Sequence, residues 1–201
     1  MEINAENMLF DRLNALVKAS SDKKIIIRNV LGQRYIASGA ENKEILIYGV
    51  AGNALGAYLS NTLVKVYGNA QDATGDTMNS GSITVFGHAG DTIGYAMRGG
   101  TIMVEGDAGF RVGIHMKEYG SHVPKIIIGG KAGDFLGEYQ AGGIILVLGI
   151  GYENVCPVGA FCATGQYGGK IYIRTRSMPR DLPPQVDVKA NADKSEIMPL
   201  I

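Results

Sequence analysis

Short runs of alternating aliphatic and polar residues recur along the chain, and each is followed by the same glycine pattern. Two alternating aliphatics precede a G-x-A-G-x-x-x-G motif, and this alternation predicts a half-buried β-strand followed by tight corners. The copies are "ILIYGVAGNALG" (Ile45–Gly56), "VKVYGNAQDATG" (Val64–Gly75), "ITVFGHAGDTIG" (Ile83–Gly94), "IMVEGDAGFRVG" (Ile102–Gly113) and "IIIGGKAGDFLG" (Ile126–Gly137).

The repeat has a nearly constant period. The first glycine of each motif, here called the lead glycine, recurs at spacings of 19, 19, 19, 24 and 19 residues. These lead glycines are Gly49, Gly68, Gly87, Gly106, Gly130 and Gly149. A degenerate first copy spans Ile25–Ile36, with Asn29 in the lead position. A degenerate last copy begins at Ile145, and a closing strand follows at Lys170–Thr175.

A unit of 19 residues cannot bury its own apolar side. Stacking successive units creates one continuous core, and their equivalent strands then pair in parallel about 4.8 Å apart. We therefore predict an all-β fold. It is a single-stranded right-handed β-helix, or parallel β-solenoid, of about 19 residues per coil over residues 23–176.

Equivalent positions in successive copies share their chemistry. Ten residues after each lead glycine stands an apolar residue, predicted to form a column in the core: Leu59, Met78, Met97 and Met116. The residue before the lead glycine is aromatic and predicted to face outward in three copies: Tyr48, Tyr67 and Phe86. Such an aromatic column can support itself by stacking or can cover a partner surface.

The two ends break the repeat. Residues 1–22 are predicted to hold a short amphipathic helix that caps the first coil, with its apolar face formed by Met8, Leu9, Leu13, Leu16 and Val17. Four prolines exclude regular stacking from residues 177–201, so this tail is expected to run along the surface or onto a partner.

Two copies carry insertions, and solenoid insertions form loops on one face. About five extra residues lie within Lys117–Pro124, and about seven lie around Cys156–Gln166. These two loops are the first choice for partner contacts, and a ligand role for them stays open.

Composition narrows the function. Lys plus Arg equals Asp plus Glu, at 19 each, so no charge surplus favours nucleic acid or anionic membranes. No apolar run is long enough for a membrane span, and the N-terminus lacks a signal-peptide layout. We expect a cytoplasmic protein.

The chain offers few groups for chemistry. His88, His115 and His122 stand in three different contexts, and Cys156 and Cys162 have neither zinc-knuckle nor redox-pair spacing. An acidic column recurs four residues after the lead glycines, at Asp72, Asp91 and Asp134. It is interpreted as corner residues that accept backbone N–H groups, because calcium β-rolls have a period of nine. We therefore predict no catalytic, cofactor-binding or metal-binding residue in this chain.

The glycine-cornered copies resemble the GXGXG domain family, which includes the C-terminal β-helix of the glutamate synthase large subunit and a structural subunit of formylmethanofuran dehydrogenase. The resemblance runs from about Ile3 to Arg174. The stretches Gly75–Gly120 and Ile126–Gly149 are most similar to the stand-alone glutamate synthase subunit of archaeal type.

That resemblance implies a non-catalytic scaffold subunit. In glutamate synthases a glutaminase domain releases ammonia from glutamine, and an FMN and iron–sulfur domain uses it to convert 2-oxoglutarate to glutamate. FMN and iron–sulfur clusters are thus expected on partner subunits, with none bound by this chain. One alternative is the structural subunit of a formylmethanofuran dehydrogenase-like enzyme, and another is a homo-oligomeric module. A free-standing esterase, a label given to similar chains, is disfavoured because no G-x-S-x-G motif surrounds Ser80, Ser82 or Ser121.

Overall fold

A computed structural model describes residues 1–200, and the chain is mostly β. All strands belong to one nine-stranded parallel sheet, in which neighbours follow chain order. The strands are β1 (Glu2–Asn4), β2 (Lys24–Leu31), β3 (Glu44–Val50), β4 (Thr62–Tyr67), β5 (Gly81–Val85), β6 (Thr101–Val104), β7 (Lys125–Ile128), β8 (Ala141–Val147) and β9 (Gly168–Ile173). The helices are α1 (Phe10–Ala19) and α2 (Lys194–Ile197), and a 3₁₀ turn spans Met198–Leu200. Within residues 1–200, neither helix has the length and apolarity needed to cross a bilayer.

The sequence period sets the register of the sheet. Val64 pairs with Ile83, and Ile83 pairs with Ile102, each 19 residues further on. These inward side chains are at most 1% exposed. Strand alternation therefore forms one wall of a continuous apolar core.

The segments that connect the strands also bond to their equivalents. The Ala70 N–H donates to His88 O at 2.9 Å, and the Thr77 N–H donates to Tyr95 O at 2.7 Å. The Gly94 N–H donates back to Thr74 O at 2.8 Å. Each repeat thus lies against the next both in the sheet and along its corners, and we call this arrangement the coil stack.

At the last glycine of each motif, the backbone conformation favours glycine and neighbouring atoms leave no room for a Cβ. Gly56 and its equivalents have positive φ, as predicted for the corners, whereas the lead glycines Gly87, Gly106 and Gly130 do not. Ala54 and Thr92 also have positive φ, at 60° and 56°, so conformation alone does not select glycine in this fold. A Cβ at Gly56 would lie 2.6 Å from Ile83 Cδ1. Glycine therefore leaves room for an isoleucine that lies two copies further along the chain.

The predicted apolar column is confirmed. Leu59, Met78, Met97 and Met116 are all fully buried. They belong to the same core cluster as the inward residues of the sheet. The column therefore shares one core with the strands over four successive coils.

The N-terminal segment forms a helix, preceded by a strand that the sequence pattern missed. β1 pairs with β2, and α1 buries Leu13 and Val17 at 0% and 4% exposure. The predicted apolar face was too wide, because Leu9 is 73% exposed and Leu16 is 40% exposed. One side of the helix covers the core, and these two leucines lie on its solvent side.

The lead position of the first copy was assigned one residue too early. Gly49 pairs with Val30 and not with Asn29. The register shifts between Ile27 and Val30, and Asn29 has a φ of 57°. A bulge inserts one residue here, so position counting along the sequence misplaced the column.

The two insertions fall in different places relative to prediction. The first insertion is confirmed. The Lys117 N–H still donates to Met97 O, as in a coil of regular length, whereas the next strand pairs Thr101 with Lys125, so the extra residues lie between Lys117 and Lys125. The second was placed too late. The Gly149 N–H donates to Gly130 O, which is the pairing of a coil of regular length. Two residues after Gly130, Ala132 pairs with Val158, so the extra residues lie within 150–157. Most of the predicted range, Cys156–Gln166, is regular coil.

The C-terminal tail follows β9 without joining the sheet. Leu182 and Val186 are partly buried against the core cluster, and α2 has no buried residue. The last residue of the predicted tail, Ile201, lies outside the described residues.

Candidate interaction surface

The x of the G-x-A-G motif forms a ladder that the sequence analysis did not identify. Asn69 Oδ1 accepts the N–H of His88 at 2.9 Å, and His88 Nδ1 accepts the N–H of Asp107 at 2.9 Å. Asp107 Oδ1 accepts the N–H of Lys131 at 3.0 Å. Each side chain thus holds the backbone of its equivalent in the next coil, and His88 must have Nδ1 unprotonated in this arrangement.

The same ladder explains three of the six lead glycines. A Cβ at Gly106 would lie 2.7 Å from His88 Nδ1, and a Cβ at Gly87 or Gly130 would overlap Asn69 or Asp107. Only glycine leaves room for a side chain of the preceding coil to reach the next backbone N–H. A recurring polar residue directly after a recurring glycine is the sequence signal that could have revealed this ladder.

The acidic column forms a second ladder, as predicted. Asp72 Oδ1 accepts the N–H of Asp91, and Asp91 Oδ1 accepts the N–H of Phe110, both at 2.9 Å. Asp134 Oδ1 accepts the N–H of Ala160 at 2.8 Å. The interpretation of these aspartates as acceptors of corner N–H groups is confirmed.

The predicted aromatic column is confirmed on the outer face of the sheet. Tyr48 and Tyr67 stack with ring centroids 4.7 Å apart, and Tyr67 and Phe86 stack at 4.9 Å. The Arg28 guanidinium lies 4.7 Å from the Tyr48 ring centroid. Tyr67 and Phe86 remain 41% and 38% exposed. The rings therefore support one another and still present a flat, partly apolar strip to solvent.

A second aromatic region lies along the corner segments. His115 stacks on Tyr139 at 5.1 Å, and Phe135 stacks on Phe161 at 5.0 Å. Arg111 lies 5.2 Å from the centroid of Phe135 and pairs with Glu138 at 3.0 Å. A shallow cleft beside it is lined by Asp91, Thr92, Phe110, Arg111, Asp134 and Phe135. Exposed aromatic and arginine side chains are the types enriched at protein–protein contacts.

The 150–157 insertion folds back over the first ladder. The Tyr152 hydroxyl donates to Asp107 Oδ2 at 2.8 Å, and Lys131 Nζ lies 5.2 Å from the Tyr152 ring centroid. Burial alone would raise the pKa of Asp107, but the Lys131 N–H and the Tyr152 hydroxyl hold that pKa below its usual range. The same hydrogen bond raises the pKa of Tyr152. A charged Asp107 therefore anchors this loop.

The other insertion is an exposed turn. Tyr119 and His122 exchange backbone hydrogen bonds of 3.1 and 3.0 Å, and Tyr119 is 72% exposed. Because this turn lies beyond the regular coil, its side chains are available for contacts. A partner role for either insertion stays a prediction.

The candidate chemical groups occupy separate structural roles. His88 belongs to the first ladder, His115 stacks on Tyr139 and meets Tyr95 edge to face, and His122 lies in the exposed turn. Ser80 Oγ accepts the N–H of Asn61. No group of three or more His, Cys, Asp or Glu side chains is arranged to hold a metal ion within the described 1–200 range.

Both cysteines are free thiols that pack at the C-terminal end of the core. Cys162 is 2% exposed, and Cys156 is partly buried. Burial raises the pKa of the Cys162 thiol to about 12. A thiol of this kind is protonated near neutral pH and therefore a poor nucleophile.

Comparison with known proteins gives the family. The model of the GXGXG motif family matches residues 20–195, which is most of the chain. The chain belongs to the GXGXG motif family. It is also 43% identical over 211 aligned residues to the uncharacterized protein MJ1350 of Methanocaldococcus jannaschii. That alignment covers 99% of this chain and 81% of the relative.

Proposed function

We propose that this GXGXG protein is a non-catalytic scaffold subunit of a glutamate synthase-type complex. As part of this proposal, the coil stack is a right-handed parallel β-helix, which agrees with the handedness of parallel crossovers. The partners would be a subunit with FMN and iron–sulfur clusters and a glutaminase subunit, in a cytoplasmic oxidoreductase complex of glutamate biosynthesis. This chain itself would bind no cofactor.

One observation carries the scaffold role: the polar side chains of the repeat are used to hold the coils together. Asn69, His88 and Asp107 each accept a backbone N–H of the next coil, as do the aspartates of the second ladder. Such side chains stiffen the stack and are not free to act on a substrate. The solvent-facing surface carries the aromatic strip of Tyr48, Tyr67 and Phe86 and the second aromatic region along the corner segments, and such a surface suits a protein partner.

Purification at native abundance tests the proposal. A tagged chain, expressed in its source organism, should bring down a flavin- and iron-containing partner, detected by its absorbance spectrum and by mass spectrometry. Recovery of a partner that carries a pterin with molybdenum or tungsten would favour the formylmethanofuran dehydrogenase-like alternative. Recovery of this chain alone would contradict both.

The paired substitution Tyr67→Ser and Phe86→Ser sharpens this test. Both rings are exposed and neither fills the core, so the fold should persist while partner recovery falls. The matched control is Tyr167→Ser, because Tyr167 is 93% exposed and lies outside the aromatic stacks described above.

An esterase assay is a separate test. Purified chain that hydrolyses no short-chain esters would agree with the proposal. Hydrolysis that is lost when a single serine is replaced would contradict it.

A further inference from the structure

Within residues 1–200, the coil stack ends at β9, where backbone groups have no next coil to bond. In each coil the carbonyl of an inward residue accepts an N–H from the following strand. Val85 O accepts from Glu105 at 2.9 Å, and Val147 O accepts from Arg174 at 2.9 Å. Ile173 is the next inward residue of this series, and no strand follows β9 within residues 1–200. Its carbonyl therefore faces an open strand edge.

A second series ends at the same place. Ile93 O accepts from Gly113 N–H, and Leu136 O accepts from Ala163 N–H, both at 2.8 Å. Cys162 is the next residue in this position, and the described part of the chain supplies no further coil. The end thus has a strand position at Ile173 and a corner position at the buried Cys162 that no further coil of the described chain pairs with.

The tail lies over this end without filling those positions. Among the described residues, the backbone hydrogen bonds of the tail are internal, such as Val186 N–H to Pro183 O at 3.1 Å and Glu196 N–H to Asp193 O at 3.3 Å. The partly buried Leu182 and Val186 are its contacts with the core. The tail is therefore a loose cover over an edge that can still accept a strand.

The chemistry of this edge favours a carboxylate. Residues 168–180 contain four cations and no acid, with Lys170 and Arg174 on or next to β9. The tail places the Glu196 carboxylate 2.6 Å from Lys170 Nζ, where it also accepts from the Tyr172 hydroxyl. These two hydrogen bonds lower the pKa of Glu196. One acid from the chain already occupies the position that an incoming acid would take.

We propose that the C-terminal end of the coil stack docks an extended, carboxylate-bearing segment of a partner polypeptide. The segment adds beside β9 as a further strand, and its carboxylate replaces Glu196 on Lys170 and Tyr172. A second copy of this chain is a poorer occupant, because two identical cationic ends repel across a two-fold axis. The inference goes beyond the scaffold proposal and holds whichever complex contains the chain.

A peptide titration of the full chain tests this site. The probe is a short peptide that alternates valine and glutamate, and its control alternates valine and lysine. Binding is followed by amide chemical-shift changes in a nuclear magnetic resonance spectrum. The glutamate peptide should shift Ile171, Tyr172 and Ile173 together with residues near Cys162, and the lysine peptide should not.

Two substitutions should move the affinity in opposite directions. Glu196→Ala removes the internal competitor and should tighten binding by roughly threefold to tenfold. Lys170→Glu should weaken it by about tenfold or more, and Tyr172→Phe by a smaller factor. Asp187→Ala is the matched control, because the exposed Asp187 carboxylate pairs with Lys189 at 3.6 Å, and it should leave affinity unchanged.

Four results would overturn the proposal. Equal binding of the two peptides would mean a nonspecific contact, and shifts confined to the Tyr48–Phe86 strip would place the site elsewhere. Concentration-dependent dimerisation that broadens β9 resonances without peptide would make a second copy the occupant. Unchanged affinity in Glu196→Ala would show that the tail does not occupy the site.

Discussion

The two ends of the coil stack are closed in different ways. At the N-terminal end, β1 completes the sheet and α1 places Leu13 and Val17 in the core. Gln33 ties this segment down, because its Nε2 donates to Ala5 O and Met8 O at 2.9 and 3.1 Å. At the C-terminal end, the described tail makes no bonds to the sheet backbone and rests on partly buried Leu182 and Val186.

This difference indicates that one end of the stack serves stability and the other serves binding. Any open edge of a stacked parallel sheet risks aggregation, so an end that never meets a partner is best sealed by buried side chains and paired backbone. An end that binds a partner needs a cover that the partner can displace with little loss of folding free energy. The N-terminal end has the first character and the C-terminal end has the second.

Leu13→Ala should destabilise the fold more than any other substitution that compares the two ends. Leu13 is fully buried, so truncation should reduce the free energy of unfolding by about 2–5 kcal/mol, as measured by urea denaturation. Leu182→Ala at the other end should cost about 1 kcal/mol or less, because that side chain is only partly buried. Leu16→Ala, on the exposed side of α1, is the control. Equal losses at Leu13 and Leu182 would contradict the comparison.

Gln33→Ala should cost less than Leu13→Ala. The Gln33 side chain also accepts the Leu31 N–H at 2.7 Å, so its removal takes three hydrogen bonds from this segment, one of them buried. We expect about 1–3 kcal/mol of destabilisation and faster amide exchange in β1. Gln71→Ala, at an exposed position, should change stability by about 0.5 kcal/mol or less. Protection of β1 that survives Gln33→Ala would show that α1 alone seals this end.

Limited trypsin digestion should separate the ends by rate. Cleavage after Arg176 and Arg180 should precede cleavage after Arg12 and Lys18 by about tenfold or more, because the tail opens without breaking core packing. Mass spectrometry of timed samples gives the order of the cuts. Earlier cleavage within α1 would reverse the assignment of the loose end.

The smallest expected effect is the pH dependence of tail docking. The pKa of Glu196 is lowered in the folded chain, so its contribution is present above its usual pKa and is lost as pH falls through the lowered value. The pKa of Lys170 is raised, mainly by the hydrogen bond to Glu196, so its contribution is lost as pH rises through that raised value. The amide resonances of Ser195 and Glu196 should therefore move at both extremes in wild type. In Lys170→Met the acidic midpoint at Glu196 should rise toward its usual pKa, because the largest cause of the lowered pKa is removed. An unchanged midpoint in that variant would contradict the pairing.

Sequence reasoning reached the strands and the columns because the same pattern repeats coil after coil, so one irregular copy does not hide it. The buried Met78 and Met97, the stacked Tyr48 and Tyr67 and the Asp91 ladder follow from alternation and spacing alone. Errors occurred where the period is interrupted once. The Asn29 bulge and the 150–157 insertion each add residues whose position is set by pairing, which a single sequence does not record.

The candidate surface was less accessible to sequence reasoning. The ladder through His88 and Asp107 was missed because its members differ in residue type and share only the ability to accept an N–H. Tyr152 contacts Asp107 from 45 residues away, and no local pattern indicates such a contact. The contact of the tail with Lys170 likewise joins residues that only the folded chain brings together.

By itself, the sequence determined a stack of glycine-cornered coils, since each short unit leaves an apolar side that only its neighbours can cover. The tertiary structure decided why the glycines of the motif are needed, because atoms from other coils occupy the space where a Cβ would stand. It also decided that one end is sealed and the other loosely covered. That difference depends on which backbone groups find partners, and partners are a property of three-dimensional proximity.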